Sequence, residues 1–143
     1  MNADVLDLPL PRPTLMTQPF WKAAHEHRLI VQRCDQCGKF RFYPSAGCDR
    51  CASAAYTWVD MSGRGKVYSW IVVRRSVDAA WQKRLPFVSA IIELAEQPGV
   101  LIPGLLTGIE PERVQADLPV EVWFEEVSPE ISMPRWRPAG TGA

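Results

Sequence analysis

The second half of the chain reads as strands and turns, and one stretch alternates cleanly with the two-residue period of a β-strand. "PVEVWFEEV" (119–127) places Val120, Val122 and Phe124 on one face and Glu121, Trp123 and Glu125 on the other. "AYTWVDM" (55–61) and "KVYSWIVVRRS" (66–76) flank "SGRG", whose Gly63 and Gly65 read as a bend or bulge between or within strands. "PFVSAIIELA" (86–95) reads as a buried strand that turns at "EQPG" into "VLIPGLLTG" (100–108), and "ISMPRWRP" (131–138) reads as the last strand. "IEPERVQADL" (109–118) has Pro111 and acids suited to a short helix. This helical candidate lies between the third and fourth of the β segments. The order predicts a small closed five-stranded barrel of OB type, with a two-sheet sandwich as the alternative.

The first half has a different grammar. Residues 1–16 are Pro-rich and aperiodic, an arm. "TQPFWKAAHEHR" (17–28) predicts a short helix, with Thr17 as N-cap and Pro19 in the first turn. Phe20, Ala24 and either Trp21 or His27 would form its packing face. "LIVQRC" then delivers the chain to "CDQCGKFRFYPSAGCDRC" (34–51), which holds all four cysteines. Cys34 and Cys37 form one C-x2-C pair, and Cys48 and Cys51 another. Each pair can form a knuckle pointing two sulfurs at one tetrahedral ion. Phe40 and Phe42 alternate with Lys39 and Arg41 between the knuckles, so knuckle, strand, turn, knuckle outlines a zinc ribbon holding one structural ion. Iron fits the same ligand type. Four thiolates leave no open position for water, which disfavours metal catalysis. The expected units are a mainly β chain with arm and helix at 1–28, ribbon at 29–55, OB-fold barrel at 56–138 and tail at 139–143. "ASAAY" (52–56) would be the linker.

Composition narrows the function. In 143 residues, 47% apolar content with 6 Trp and 5 Phe is enough for a real core. Lys and Arg balance Asp and Glu at a formal charge of zero. Four thiolates around a zinc ion would add roughly −2. That balance gives no general attraction to nucleic acid or anionic lipid. "MNADVLDLPLPRPTLMTQPFW" lacks the charged start and apolar run of a signal peptide, and no stretch has transmembrane length. The reading is a soluble cytoplasmic protein with reduced thiols.

No G-x-S-x-G, H-E-x-x-H, phosphate loop or G-x-G-x-x-G is present. His25 and His27, two apart on a helix, would diverge by about 200°. Binding is the stronger expectation. Arg64 and Lys66 lie near the glycine bend, and Arg74 and Arg75 end a long strand. Arg135 and Arg137 flank Trp136 and would share a strand face, with Trp136 on the other. Arg64, Lys66, Arg135 and Arg137 are candidate contacts to the phosphate groups of a ligand or to a partner. Trp136 and Trp81, the latter in the irregular segment "SVDAAWQKRLP" (76–86), are candidate anchors.

With these residues in place, the chain resembles the DUF35 family. The resemblance runs from about Pro19 to Pro138. It is carried by the four cysteines, the Tyr43–Pro44 step, "GRGKVYSW", "PFVSAIIEL", "QPGVLIPGLLTG", "LPVEVWFEEV" and "MPRWRP". One departure is that Ser45 and Ala46 follow Pro44, where the family often places Pro and Arg. The resemblance implies a helical arm, a rubredoxin-like zinc ribbon and an OB-fold. It further implies an accessory subunit of a thiolase-superfamily enzyme, or of an acyl-CoA hydratase or aldolase, in a hetero-oligomer. The OB-fold would help form the acyl-CoA site, with the CoA thioester a ligand shared with the partner. The alternative is a single-stranded nucleic-acid binder whose Trp58, Tyr68, Trp70 and Trp123 stack on bases. A stand-alone acyl-CoA enzyme is the third reading.

Overall fold

The computed structural model describes residues 8–140. Residues 1–7 of the expected arm and 141–143 of the expected tail lie outside the described residues. Helix α1 spans Gln18–His25 with Pro19 in its first turn and Phe20, Ala23 and Ala24 buried. Trp21 is only half-buried, and His27 lies beyond the helix in a left-handed turn at φ 61°. Thr17 occupies the N-cap position but makes no side-chain cap; its hydroxyl instead accepts from the Thr14 amide at 2.8 Å.

Three strands follow: β1 (Ile30–Cys34), β2 (Phe40–Arg41) and β3 (Tyr56–Asp60), in the sheet order β2-β1-β3. Tyr56–Asp60, expected to open the barrel, instead pairs antiparallel with β1 along its whole length, from Ile30 opposite Asp60 to Cys34 opposite Tyr56. The segment read correctly as a strand, but the partner is set by contacts distant in sequence. Arg28 fastens this junction with two bonds to the Asp60 carboxylate, at 3.1 and 3.0 Å.

The barrel uses β4 (Arg64–Val73), β5 (Phe87–Leu94), β6 (Leu101–Leu106), β7 (Pro119–Glu126) and β8 (Ser132–Pro138), closed in the order β4-β5-β6-β8-β7. A short helix α2 (Ala79–Gln82) lies between β4 and β5, capped by Asp78, which accepts from the Ala80 amide at 2.8 Å. The helical candidate between β6 and β7 is one 3-10 turn, Pro111–Arg113. Strand β5 buries every second residue, Val88, Ala90, Ile92 and Leu94. It is half-buried in alternation, where the sequence suggested a strand covered throughout.

Trp136 is fully enclosed and is the largest such side chain in the core. Gly104 on β6 makes room for it, since a Cβ there would meet Trp136 Cδ1 at 2.8 Å. Phe20, Leu29 and Val31 belong to the same apolar cluster as Val67, Ile92, Ile102 and Trp136. The ribbon's inner face is therefore continuous with the barrel interior. No helix among the described residues is long and apolar enough to cross a membrane.

Candidate metal centre and ligand-contact positions

Cys34 ends β1, and its amide donates to the Lys39 carbonyl at 2.9 Å. Gly38 then donates to the Cys34 carbonyl at 2.9 Å, in the left-handed conformation (φ 77°) that a glycine adopts without steric cost. The second knuckle repeats the device: Ala52 donates to the Cys48 carbonyl at 2.9 Å and is also left-handed, at φ 65°. The local turns bring four sulfurs together. Cys34 Sγ lies 3.5 Å from Cys51 Sγ and Cys37 Sγ 3.6 Å from Cys48 Sγ, all four within 4.8 Å of one another. Metal–sulfur bonds of about 2.3 Å in a tetrahedron need edges of about 3.8 Å, so the donor set fits one thiolate-bound ion.

The sulfurs are electrostatically unequal. Cys34 is lowered to about 6, chiefly by the Cys37 amide directed at its sulfur, with burial opposing. Cys48 is lowered in the same way by the amides of Cys51 and Arg50. At Cys51 the Ser53 amide pulls downward, but burial and the neighbouring sulfurs prevail and push it up to about 11. The amides thus favour the thiolate form at Cys34 and Cys48, the form in which a cysteine ligates a metal.

Beside the cluster lies a buried polar node that residue spacing did not reveal. Gln32 is fully buried, and its Oε1 accepts from Arg41 Nε and from the Ser45 amide, each at 2.8 Å. Arg41 also donates to the Ser45 carbonyl at 2.9 Å, and its guanidinium lies 5.1 Å from the Tyr56 ring centroid. Ser45 departs from the family pattern here, and a proline in its place would lack the amide that Gln32 accepts from. A polar residue inside an apolar run, Gln32 in "LIVQRC", was the available signal.

The candidate contact residues do not converge. Trp136 is enclosed in the core and is withdrawn as a contact, because Pro134, Arg135 and Trp136 are all buried on β8. Arg135 is buried against Glu125, with Nη2 2.9 Å and Nε 3.0 Å from Oε1. Arg84 closes on the same carboxylate through two bonds of 3.1 Å. Burial works against the Glu125 charge, but the two guanidiniums outweigh it and hold the group below the usual carboxylate range. Burial lowers Arg135 in turn, with Glu125 opposing. The guanidinium remains charged regardless.

Arg137 pairs with Glu121 at 3.2 Å. Lys66 lies 3.4 Å from Asp117 and 3.6 Å from Glu93, lining a cleft of about 410 Å³. Arg64 is exposed and, among the described residues, has no carboxylate partner. Trp81 is half-buried and packs on Phe87, ring centroids 5.0 Å apart.

Of the proposed base-stacking residues only Tyr68 is exposed. Trp58 and Trp70 pack against the core, and Trp123 donates its indole N–H to Thr107 at 2.9 Å. His25 is exposed at the end of α1, and His27 stacks on Phe124 with centroids 5.5 Å apart.

Comparisons with known proteins agree with this architecture. The sequence profile described as "ChsH2, rubredoxin-like zinc ribbon domain" matches residues 21–57, and "ChsH2, C-terminal OB-fold domain" matches residues 58–125. A DUF35 domain-containing scaffold protein of Methanocaldococcus jannaschii is 34% identical over 109 residues, 75% of each chain. A probable enoyl-CoA hydratase alpha subunit of Thermomonospora curvata is 36% identical over 131 residues, 90% of this chain. This chain spans only 40% of that relative's length. Among solved structures, a chain of "Ltp2-ChsH2(DUF35) aldolase" superposes with a TM-score of 0.81 at 33% identity, covering 91% of this chain and 99% of that one.

Proposed function

Because the chain belongs to the DUF35 family of zinc-ribbon and OB-fold proteins, we propose that it is a non-catalytic subunit of an acyl-CoA-processing enzyme. It docks on the catalytic chain and helps to form or stabilise the acyl-CoA site. The observation that carries this reading is the two-way coverage by the ChsH2(DUF35) aldolase chain, which leaves almost nothing of that chain unmatched. The names of that structure and of the hydratase alpha subunit put a hydratase or an aldolase first among partners. A thiolase-superfamily enzyme is the further member of the same class.

Further support comes from where the reactive residue types lie. The cysteines share one cluster and the histidines sit at the end of α1 and in the turn after it. Zinc is the proposed ion; the four sulfurs would hold it as a fold-stabilising centre. Arg64 is the proposed contact for a CoA phosphate, since Lys66, Arg135 and Arg137 are each engaged by carboxylates. The proposed compartment is the cytoplasm, where the thiols stay reduced.

The test is affinity capture of the tagged chain from its native cells, with stoichiometry read by native mass spectrometry. Recovery of a hydratase, aldolase or thiolase-superfamily enzyme in fixed ratio, with acyl-CoA turnover only by the complex, is the expected result. Recovery of the chain alone, or with RNA or DNA, would overturn the proposal.

A further inference from the structure

Strand β4 is ten residues long, but the barrel uses only its first part on both sides. β7 pairs with β4 at Arg64, Gly65 and Lys66 alone. Two further bonds close this seam, the Val67 amide to the Leu118 carbonyl at 3.0 Å and the Asp117 amide to the Val67 carbonyl at 2.8 Å. A bulge at Tyr68 follows, between Val67 and Ser69. From Ser69 to Val73 the strand pairs with β5 only. Among the described residues, no loop or side chain bonds the backbone on its other edge.

Such an edge presents unpaired amides and carbonyls, and natural sheets protect it with charges or prolines. Here "YSWIVV" carries neither. Tyr68 is 58% and Ile71 63% exposed, so two large, largely apolar side chains stand open to solvent along this edge. Behind the edge, Ile71 lies opposite Ser89, which lies opposite Leu105. Ser69 lies opposite Ile91, which lies opposite Pro103. The outer face along this edge is therefore uncharged across three strands.

Charge selects the occupant. The chain has no carboxylate from Met61 to Val77, while Arg64, Lys66, Arg74 and Arg75 mark the two ends of β4. Arg74 is paired with Glu112, whereas Arg75 has no carboxylate partner among the described residues. A second copy of β4 laid along the edge in either direction would set cation beside cation. β7 also blocks any strand extending past Val67.

We infer that the open edge of β4, residues 68–73, accepts an extended segment of the catalytic partner by strand addition. The segment is about 20 Å long, apolar at the positions facing Tyr68 and Ile71, and bears a carboxylate at the end that meets Arg75. The inference rests on the proposed enzyme partner and locates where that partner binds.

The test is hydrogen exchange on the purified complex and on the chain alone, read for the peptide covering 67–75, together with Ile71→Glu and Arg75→Glu. Outward amides of 68–73 should exchange at least about 10-fold more slowly in the complex, as hydrogen-bonded strand amides do. Ile71→Glu should weaken binding about 30-fold or more, as loss of an interface anchor does, with metal content and circular dichroism unchanged. Arg75→Glu should slow association most at low salt. If the enzyme co-purifies but 68–73 exchange alike in both samples, the edge inference fails and the accessory-subunit reading stands. Protection that grows with concentration in the enzyme-free chain, with a dimer mass, would assign the edge to a second copy and overturn the inference. Failure to recover any enzyme would overturn both.

Discussion

In the barrel, Val67, Val88, Ile92, Ile102, Val120 and Trp136 come from all five strands and enclose one another. In the ribbon, β2 is two residues long, and the second knuckle, Cys48–Cys51, contributes no large apolar side chain at all. One region is held by packed area, the other by four sulfurs around a point. The contrast follows from area: a loop of knuckles buries too little surface to offset its own ordering, and the proposed ion would supply the difference. The two regions nevertheless meet, because Leu29 and Val31 on the ribbon side pack into the barrel cluster.

The comparison breaks most sharply at a metal ligand. Structural zinc sites contribute on the order of 10 kcal/mol or more to folding. Cys48→Ser should therefore lose the ion and unfold the knuckles, while the tryptophan signal of the barrel persists with a lowered melting temperature. Metal analysis with near-ultraviolet circular dichroism reads both regions at once. Full metal content in Cys48→Ser would mean that the sulfur cluster is not the site.

The largest effect expected in the barrel is electrostatic. Glu125→Gln leaves Arg135 buried with Arg84 beside it and no counter-charge. Breaking a buried pair from one side costs about 3–5 kcal/mol, measurable by urea unfolding. The same carboxylate sets an acid limit. Its pKa is held below the ordinary value in the folded chain, so its stabilising contribution is complete above the unfolded value of about 4.3 and is lost as pH falls through the lower folded one. An acid titration of wild type should show this loss, and Glu125→Gln should lack it. A smaller barrel effect is steric. Gly104→Ala puts a methyl group 2.8 Å from Trp136 Cδ1 and should cost about 1–3 kcal/mol while leaving the metal site untouched.

Features written locally were legible in the sequence. The two C-x2-C pairs with Gly38 specify knuckles within a few residues, and apolar runs bounded by turn residues, with clean alternation in 119–127, marked the barrel strands. What depends on distant partners was not. Tyr56–Asp60 read correctly as a strand, yet nothing in "AYTWVDM" says that it pairs with β1. "MPRWRP" placed its arginines opposite Trp136, but a face is only free if nothing covers it. Glu125, ten residues before Arg135, and Arg84, farther still, come together only in the closed barrel. The same holds for Gln32, whose partners Arg41 and Ser45 lie across the ribbon turn.

The finest test compares the knuckles with each other. Gly38 and Ala52 each follow a C-x2-C pair and each adopts a positive φ, 77° and 65°. For a residue with a Cβ, the left-handed conformation costs about 1–2 kcal/mol. Glycine avoids that cost but loses up to about 1 kcal/mol more chain entropy on folding. Ala52→Gly should therefore stabilise the ribbon by roughly 0.5–1 kcal/mol. Gly38→Ala should destabilise it by a similar amount, since its Cβ would meet only the Arg33 guanidinium, at an ordinary 3.5 Å from Nη2. Competition with a zinc chelator is the sensitive measurement, because metal retention follows the stability of the knuckles that hold the ion. Opposite shifts of comparable size would show that both knuckles bear on the metal through backbone conformation. A shift from Gly38→Ala alone would mean that the second knuckle is held by its contacts, such as the Cys48 amide to the Ser53 carbonyl at 2.9 Å, rather than by its turn.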